Sequence, residues 1–364
     1  GPEEAPERLH QPGGPRHQHR RPAANPRRPQ RHHHRQAFGD VLDCDGAGER
    51  QANAKVALGK AHPDRHAFGQ VVQGDRQHEQ PDPPDTLATR AAGARFGVYY
   101  SGALDWHVSD FPAIESDTDL FRFRRNDEPF SRYAAAQLRE LVERFSPDVL
   151  WNDIEWPDGG KGHDDYALAA LLRGYVDAVP DGVVNDRWGV PFHGFLTREY
   201  MEIDGVQDEV FEATRGLGFS FGYNQDEDAR HCLSGAGLIR LLVDVVSKNG
   251  NLLINVGPRA DGSIPELQLA AMRELGAWLR VNGEAVYGTR PWVRAGDPGA
   301  PALASPVAYT TTGGAVHAHA LDPAVGAVRL PEELRGRACR WIGAGDATAD
   351  GAEVPIPEAL RGAA

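Results

Sequence analysis

From residue 95 onward, the apolar positions of the chain alternate between the spacing of strands and the spacing of helices. The strands are expected at residues 96–100, 149–151, 183–184 and 252–256. The helices are expected at residues 133–145, 166–179, 238–246 and 267–281. Strands separated by helices predict an α/β protein with a parallel sheet and crossover helices.

The helical spacing disappears after Trp292. Short apolar runs follow it, each bounded by glycine or proline, at residues 307–310, 315–320 and 327–330. Short runs punctuated in this way are typical of antiparallel strands and turns. The pattern predicts a small β-sandwich over residues 291–364.

The composition changes sharply near residue 90. Residues 1–90 contain no Trp and no Tyr, and their few apolar pieces, around Val41, Val56 and Val71, are too short to offset the entropy of ordering the chain. We expect residues 1–92 to be disordered or to be non-native sequence from a wrongly read frame. The run His32 to His34 has no partner at ligand spacing, so compositional bias explains it better than a metal site.

The net charge of -13 excludes two partner classes. A field of that sign repels phosphate, so neither nucleic acid nor an anionic membrane is expected as a partner. No apolar run approaches the roughly 18 residues of a membrane span. The expected location is cytoplasmic by default, although an export signal could be lost with the true amino end because the chain begins at Gly1. A homo-oligomer is left open.

Asp153 is the first candidate for chemistry. It follows a short apolar strand and is flanked by Trp151 and Trp156, and aromatic side chains stack on the apolar face of a sugar. In a parallel β/α barrel, the carboxyl end of a strand is where active sites are built. A plain helix cap is the alternative interpretation of an Asp that follows a strand, and the two flanking tryptophans favour the active site.

Two further charged residues follow the next predicted strand. Arg187 lies in the run from Asn185 to Gly189, where an ion pair with Asp186 is the structural alternative. Glu199 lies between an arginine and a tyrosine, and taken alone it would be expected on the solvated surface.

Together these segments resemble the α-L-fucosidases of glycoside hydrolase family 29. The matching motifs, in family order, lie at residues 96–102, 104–106, 147–153, 156–157, 184–189, 197–200, 215–218, 220–224, 242–250 and 251–258. The resemblance implies a (β/α)8-type barrel, incomplete at its amino end, over residues 93–290. The small β-sandwich of residues 291–364 follows it, and whether that domain is truncated is left open. It implies a retaining exo-glycosidase that removes terminal α-L-fucose from a fucosylated glycan.

The resemblance also implies roles for particular residues. Asp153 matches the family's nucleophile, and Glu199 matches the acid/base of its bacterial branch. Positions that line the fucose pocket in the family are matched by Tyr99, Trp151, Arg187 and Phe221. The family's chemistry requires no metal and no organic cofactor.

The chain departs from the family in two respects, of which the milder is Phe211-Glu212, where Trp-Glu is usual. Two amino-terminal motifs whose histidines hold the fucose hydroxyls, Phe-Gly-x-Phe-x-His-Trp-Gly and Lys-His-His-Asp-Gly-Phe, do not occur in the sequence. The first three βα units are therefore expected to be absent or replaced. The alternative function is a catalytically inactive fragment, or a weak sugar-binding remnant, of such an enzyme.

Overall fold

The computed structural model of the chain describes residues 41–44, 68–73, 88–105, 108, 116–123, 126–162, 166–297, 305–322 and 324–360. Strand β1 (Val41–Cys44) belongs to the carboxyl-terminal sheet. The strands of the parallel sheets are β2 (Phe68–Gln73), β3 (Arg95–Ser101), β4 (Val149–Asp153), β5 (Val183–Val184), β6 (Leu196–Glu199), β7 (Phe211–Gly216) and β8 (Gly250–Asn255). The helices are α1 (Asp117–Arg122), α2 (Glu128–Phe145), α3 (Leu168–Ala178), α4 (Gly235–Ser247) and α5 (Glu266–Asn282). The remaining strands are β9 (Arg290–Gly296), β10 (Val307–Thr312), β11 (Ala315–Ala320), β12 (Ala327–Arg329), β13 (Cys339–Trp341), β14 (Gly345–Ala347) and β15 (Glu353–Pro355).

The first parallel sheet has the order β2-β3-β4-β5. Helix α2 crosses between β3 and β4 and buries Phe130, Leu138 and Phe145. It begins earlier than its apolar spacing indicates, because Asp127 caps it by accepting a hydrogen bond from the Phe130 amide at 2.9 Å. It ends at Ser146, whose φ of 41° is left-handed.

The second parallel sheet has the order β6-β7-β8. Helix α4 connects β7 to β8 and is buried along much of its length, with Leu238, Leu242 and Val243 fully enclosed. Helix α5 packs beside it through Leu275. The prediction of parallel strands is therefore confirmed for both sheets, with crossover helices between β3 and β4, β4 and β5, and β7 and β8. Strands β6 and β7 are joined by residues 200–210 without a helix, and closure of the two sheets into one barrel stays a prediction.

The carboxyl-terminal part is antiparallel, as its short punctuated runs predict. Six strands pair in the order β14-β13-β1-β11-β10-β9, and β12 pairs with β15 in a separate ladder. The two pack around one apolar cluster that includes Tyr309, Val328 and Trp341.

One apolar cluster is shared by the parallel and antiparallel parts. Ala308, Leu321 and Ile342 from the carboxyl-terminal part pack in the same cluster as Leu238 of α4 and Leu252 of β8. Two polar contacts lie at the same junction: the Thr310 hydroxyl donates to the Ala285 carbonyl at 2.7 Å, and the Arg240 guanidinium donates to the Leu321 carbonyl.

The described part of residues 1–92 contains two strands. Strand β1 pairs with β11 and β13, and β2 pairs in parallel with β3. Most of this segment, including His32 to His34, lies outside the described residues, so its predicted disorder or foreign origin stays a prediction. Within the described part of the chain, no helix is long and apolar enough to cross a membrane.

Candidate active site

The carboxyl ends of β4 and β6 bring two carboxylates to one guanidinium. Asp153 is the last residue of β4, Glu199 is the last residue of β6, and Arg187 follows β5. Arg187 Nη1 donates to Asp153 Oδ1 at 3.0 Å, and its Nη2 donates to Glu199 Oε2 at 2.7 Å. The structure thus places three of the residues selected from the sequence in direct contact.

Two further contacts fix the direction of the Arg187 side chain. Its Nε donates to Thr197 Oγ1 at 2.9 Å, and its guanidinium carbon lies 4.9 Å from the centre of the Trp151 ring. Burial lowers the pKa of Arg187, but the hydrogen bonds and charges of Glu199 and Asp153 outweigh burial and raise it. Arg187 therefore carries a permanent positive charge between the two carboxylates.

Asp186 has partners other than Arg187. Its Oδ1 accepts from the Thr197 amide at 2.9 Å and from the Thr197 hydroxyl at 2.7 Å. The structural alternative, a simple Asp186–Arg187 ion pair, is not what the described contacts show. Asp186 instead holds Thr197, which accepts a hydrogen bond from Arg187. Asp186 therefore positions Arg187 indirectly, through Thr197.

Asp153 lies among donors and is only partly accessible, with 21% of its side chain exposed. The Tyr99 hydroxyl donates to Asp153 Oδ2 at 2.9 Å, and the Ile154 amide donates to Oδ1 at 2.9 Å. Burial, together with the charge of Asp153, raises the pKa of Tyr99, which therefore stays protonated and remains a donor. No helix begins directly after Asp153, so the helix-cap alternative does not apply.

An aromatic pair forms one wall beside Asp153. Tyr99 stacks on Trp151 with a ring-centre distance of 5.3 Å, and the Trp151 indole nitrogen donates to Glu212 Oε1 at 2.9 Å. Glu212 is buried on β7, and the Thr214 hydroxyl also donates to it at 3.3 Å. Glu212 therefore holds the nitrogen-bearing edge of the Trp151 ring, and the same ring lies against the Arg187 guanidinium.

Burial raises the pKa of Glu212, and the hydrogen bonds from Trp151 and Thr214 offset this only partly. The folded chain then holds a proton that the unfolded chain releases, so the free energy of unfolding declines as pH rises from the unfolded value of about 4.3 through the folded pKa. Glu212→Gln keeps an acceptor but cannot ionise. We expect its melting temperature, relative to the unchanged chain, to be higher at about pH 8 than at about pH 5.

Glu212→Ala is the control for this prediction, because it leaves the Trp151 nitrogen without its acceptor. It should lose roughly 2 kcal/mol at about pH 5 and less at about pH 8, because the unchanged chain loses stability there as Glu212 ionises and the variant does not. A melting-temperature difference for Glu212→Gln that is the same at both pH values would contradict a raised pKa.

The turn after Asp153 is strained. Ile154 and Glu155 have φ values of 60° and 57°, and a β-branched residue rarely adopts the left-handed region. Gly102 makes room for this turn: a Cβ on Gly102 would lie 2.0 Å from the Glu155 carbonyl oxygen and 2.7 Å from Asn152 Oδ1. The Gly102 amide also donates to the Asp153 carbonyl at 2.9 Å.

Gly102→Ala should therefore displace the turn that orients Asp153. We expect a loss of about 3 kcal/mol in the free energy of unfolding, measured in urea. Gly174→Ala on α3 is the matched control, since its added methyl group meets nothing within 4 Å and alanine favours a helix. Equal stability of the two variants would show that the turn yields without cost.

The two-residue strand β5 is extended by an asparagine pair. Asn185 Oδ1 accepts from the Asn152 amide at 2.9 Å, and Asn185 Nδ2 donates to the Asn152 carbonyl at 2.8 Å. Asn152 Nδ2 then donates to the Arg187 carbonyl at 2.8 Å. Side-chain amides thus continue the ladder to the point where Arg187 must turn toward Asp153.

The two tryptophans near Asp153 differ in role. Trp156 is fully buried and packs against Tyr100 and Trp188 at ring-centre distances of 6.1 and 5.9 Å. It belongs to the core, so the expectation that it stacks on a sugar is wrong. Trp151 is the one that contacts Arg187 and Tyr99.

Phe221 lies on the loop after β7, 39% exposed. Its ring meets the edge of Tyr200 at 5.4 Å, and Tyr200 directly follows Glu199. Phe221 is thus connected to the carboxylates through Tyr200.

The sequence reasoning did not select Glu212, Thr197 or the Asn152–Asn185 pair. All four lie inside motifs that carry the resemblance or next to them, and all are polar residues within or beside strands. A buried polar residue in a strand is the signal that would have found them, because it needs a partner.

Comparison with known proteins gives a consistent result. The family model described as Alpha-L-fucosidase matches residues 85–284, more than half of the chain. Plasma alpha-L-fucosidase of Homo sapiens is 33% identical over 207 residues, 54% of this chain and 42% of the relative. Tissue alpha-L-fucosidase of Homo sapiens is 29% identical over 241 residues, 64% of this chain and 49% of the relative.

A solved structure is similar as well. The Thermotoga maritima alpha-fucosidase in complex with fucose is 38% identical, with a TM-score of 0.58 over 76% of this chain and 63% of that one. The chain thus spans about half the length of the curated relatives it matches. The extent of the family match shows that the chain belongs to the α-L-fucosidase family.

Proposed function

We propose that the protein is a retaining exo-glycosidase that hydrolyses terminal α-L-fucose from oligosaccharides or glycoconjugates by double displacement. The observation that supports this most directly is the single guanidinium of Arg187 bound to both Asp153 and Glu199. A retaining glycosidase needs two carboxyl groups about 5 to 5.5 Å apart, one as nucleophile and one as acid/base. A shared guanidinium holds the two groups near one small ligand.

The proposed roles follow from the contacts. Asp153, which accepts hydrogen bonds from Tyr99 and Arg187, attacks the anomeric carbon of the sugar with one of its carboxylate oxygens. Glu199 protonates the leaving oxygen and then, as a base, activates water. Trp151 and Phe221 provide apolar surface for the sugar ring and its methyl group, and Arg187 donates to hydroxyls.

The position of Arg187 suits a change of charge during the cycle. Before the first step Asp153 is ionised and Glu199 must hold a proton, so one negative charge faces the guanidinium. After Asp153 forms the glycosyl ester it is neutral, and Glu199 must be ionised to act as a base. One positive charge is then matched by one negative charge at each stage.

The Thermotoga maritima relative bound to fucose supports fucose as the sugar. We extend the proposal to the architecture: residues 93–290 form part of a (β/α)8-type barrel, and residues 291–364 form a β-sandwich behind it. The two parallel sheets, which present Asp153 and Glu199 at their carboxyl ends, support that arrangement.

The stereochemistry of the first product tests the function. The chain is incubated with an aryl α-L-fucoside and the anomeric protons are followed by NMR. We expect α-L-fucose to appear first, with the β anomer forming later by mutarotation, because two displacements restore the configuration. Initial release of β-L-fucose would contradict the retaining mechanism, and Asp153→Asn controls for contaminating activity.

A second candidate is a weak sugar-binding remnant without catalysis. The observation that favours it is the absence from the sequence of the two histidine motifs that hold fucose hydroxyls in the family. Binding of fucose by calorimetry, without release of any product in the NMR assay, would select this candidate over the enzyme.

A further inference from the structure

The loop between β7 and α4, which carries Phe221, exposes three aromatic side chains. Phe219 is 69% exposed, Tyr223 is 45% exposed and Phe221 is 39% exposed. Three exposed aromatic side chains within five residues of one loop provide more apolar surface than single scattered ones, and exposed apolar patches mark binding surfaces. Phe221 already has a proposed role toward fucose, whereas Phe219 and Tyr223 have none.

The backbone of the loop is held in place by hydrogen bonds to a side chain and to another backbone group. Glu227 Oε1 accepts from the amides of Phe219 and Ser220, each at 2.8 Å. The Leu233 amide donates to the Leu217 carbonyl at 2.8 Å and closes the loop at its base. These bonds fix the backbone beneath the aromatic residues, so their exposure does not result from a missing anchor.

A second set of contacts ties the loop to the end of β8. Asn255 Nδ2 donates to the Phe221 carbonyl at 2.7 Å. A Cβ on Gly257 would lie 2.7 Å from the Gly222 carbonyl oxygen, so the loop packs directly on the Gly257 backbone. The aromatic side chains are thereby presented on a preorganised support, which lowers the entropy cost of binding a ligand.

The surface is continuous with Glu199. Tyr200 follows Glu199, contacts Phe221 through its ring, and donates its hydroxyl to the Gly218 carbonyl at 3.3 Å. The Gly216 amide donates to the same hydroxyl at 2.9 Å. The proposed acid/base is therefore joined to the aromatic loop through one residue, and an acid that protonates the leaving oxygen stands next to the leaving group.

Polar groups border the two unassigned aromatic side chains. The Arg259 guanidinium lies 5.6 Å from the centre of the Tyr223 ring, and the His231 ring meets the edge of Phe219 at 5.7 Å. A ring face with donors at its border suits a pyranose, which has an apolar face and hydroxyls around it.

We infer that this loop is the subsite for the sugar from which fucose is released, with Phe219 and Tyr223 as its stacking surfaces. The inference rests on the proposed function and specifies its substrate class: a fucoside whose leaving group is a further pyranose. The occupant is a carbohydrate and not a protein segment or a second copy of the chain.

Two substrates that differ only in the leaving group test the inference. α-L-Fucosyl fluoride has no leaving-group sugar, whereas a fucosyl-galactose disaccharide has one. Phe219→Ala and Tyr223→Ala should each lower kcat/KM for the disaccharide about ten-fold and change it for the fluoride by no more than about two-fold. Val281→Ala, which truncates a 54% exposed side chain near the end of α5, should leave both substrates unchanged.

The results separate the inference from the proposed function. Equal losses on both substrates, or no loss on the disaccharide, overturn the inference and leave the proposed function standing. If the unchanged chain hydrolyses neither fucoside, the proposed function fails, and calorimetric titration of the disaccharide decides the inference. Binding that weakens in both aromatic variants then supports the subsite, and binding that is absent or unchanged in them overturns it.

Discussion

Replacing Asp153 by glycine is expected to lower kcat for an aryl α-L-fucoside by about 10⁴-fold or more, because no glycosyl ester can then form. The side chain is the common acceptor for Tyr99, Arg187 and the Ile154 amide, so its loss leaves these three donors without that acceptor. Its removal also leaves a space between Tyr99 and Arg187 that a small anion can enter.

Azide makes this prediction sharper. In Asp153→Gly, azide should attack from the face of the missing carboxylate and give the inverted β-fucosyl azide. In Glu199→Ala the nucleophile remains, an aryl leaving group needs little protonation, and azide should intercept the covalent intermediate to give the retained α-fucosyl azide. Near-normal turnover of Asp153→Gly, or the reverse pairing of products and variants, would show that the two roles are misassigned.

Replacing Arg187 by lysine is expected to lower kcat/KM by about 100-fold to 1000-fold, even though the charge is kept. A guanidinium donates to Asp153, Glu199 and Thr197 through three separate nitrogens. A single ammonium cannot span the three acceptors, so one carboxylate loses its partner and both lose their fixed separation. The loss should be largest in kcat, since it concerns the reacting groups.

Arg144→Lys is the matched control for this variant. Arg144 is 27% exposed, close to the 23% of Arg187, and forms an ordinary pair with Glu140 on α2 at 2.8 Å. Steady-state kinetics and a melting curve are measured for both variants. If Arg187→Lys loses stability but keeps its kcat, Arg187 has a structural role only.

The sequence predicts the helices and strands whose buried side chains are apolar and recur at a regular spacing. The predictions at residues 183–184 and 315–320 coincide with β5 and β11, and α2 to α5 are found within a few residues of their expected bounds. These elements present apolar side chains to a core at a regular spacing, and that spacing is a local property of the chain.

Strands β6 and β7 have no such apolar pattern, although their motifs carry the resemblance. They bear Thr197, Glu199, Glu212 and Thr214, polar residues that the candidate site requires. Because these polar residues occupy strand positions that would otherwise be apolar, the hydrophobic pattern on which strand prediction depends is missing from β6 and β7. Strands β1 and β2 were not predicted for another reason: each is defined by its pairing with strands that are distant in the sequence.

The site could be predicted as a set of residues but not as a set of contacts. Trp151 and Trp156 flank Asp153 in the sequence in the same way. The left-handed turn at Ile154 and Glu155 separates them and directs the chain so that Trp156 is buried in the core. The pairing of Arg187 depends on Thr197, ten residues away, and Thr197 is held in turn by Asp186, eleven residues before it. Such contacts follow from register between strands, which no local pattern specifies.

The apolar cluster that α4 shares with the carboxyl-terminal sheet limits how such a protein can evolve by exchange of segments. Leu238 and Leu252 pack in one cluster with Ala308 and Ile342, so the surfaces on either side of residue 290 must change together. A recombination event at that position would join two halves of a core that were never selected to fit. The change from helices to strands at that point is therefore a poor place for a gene fusion, and the inheritance of the proposed catalytic residues is tied to that of the sheet behind them.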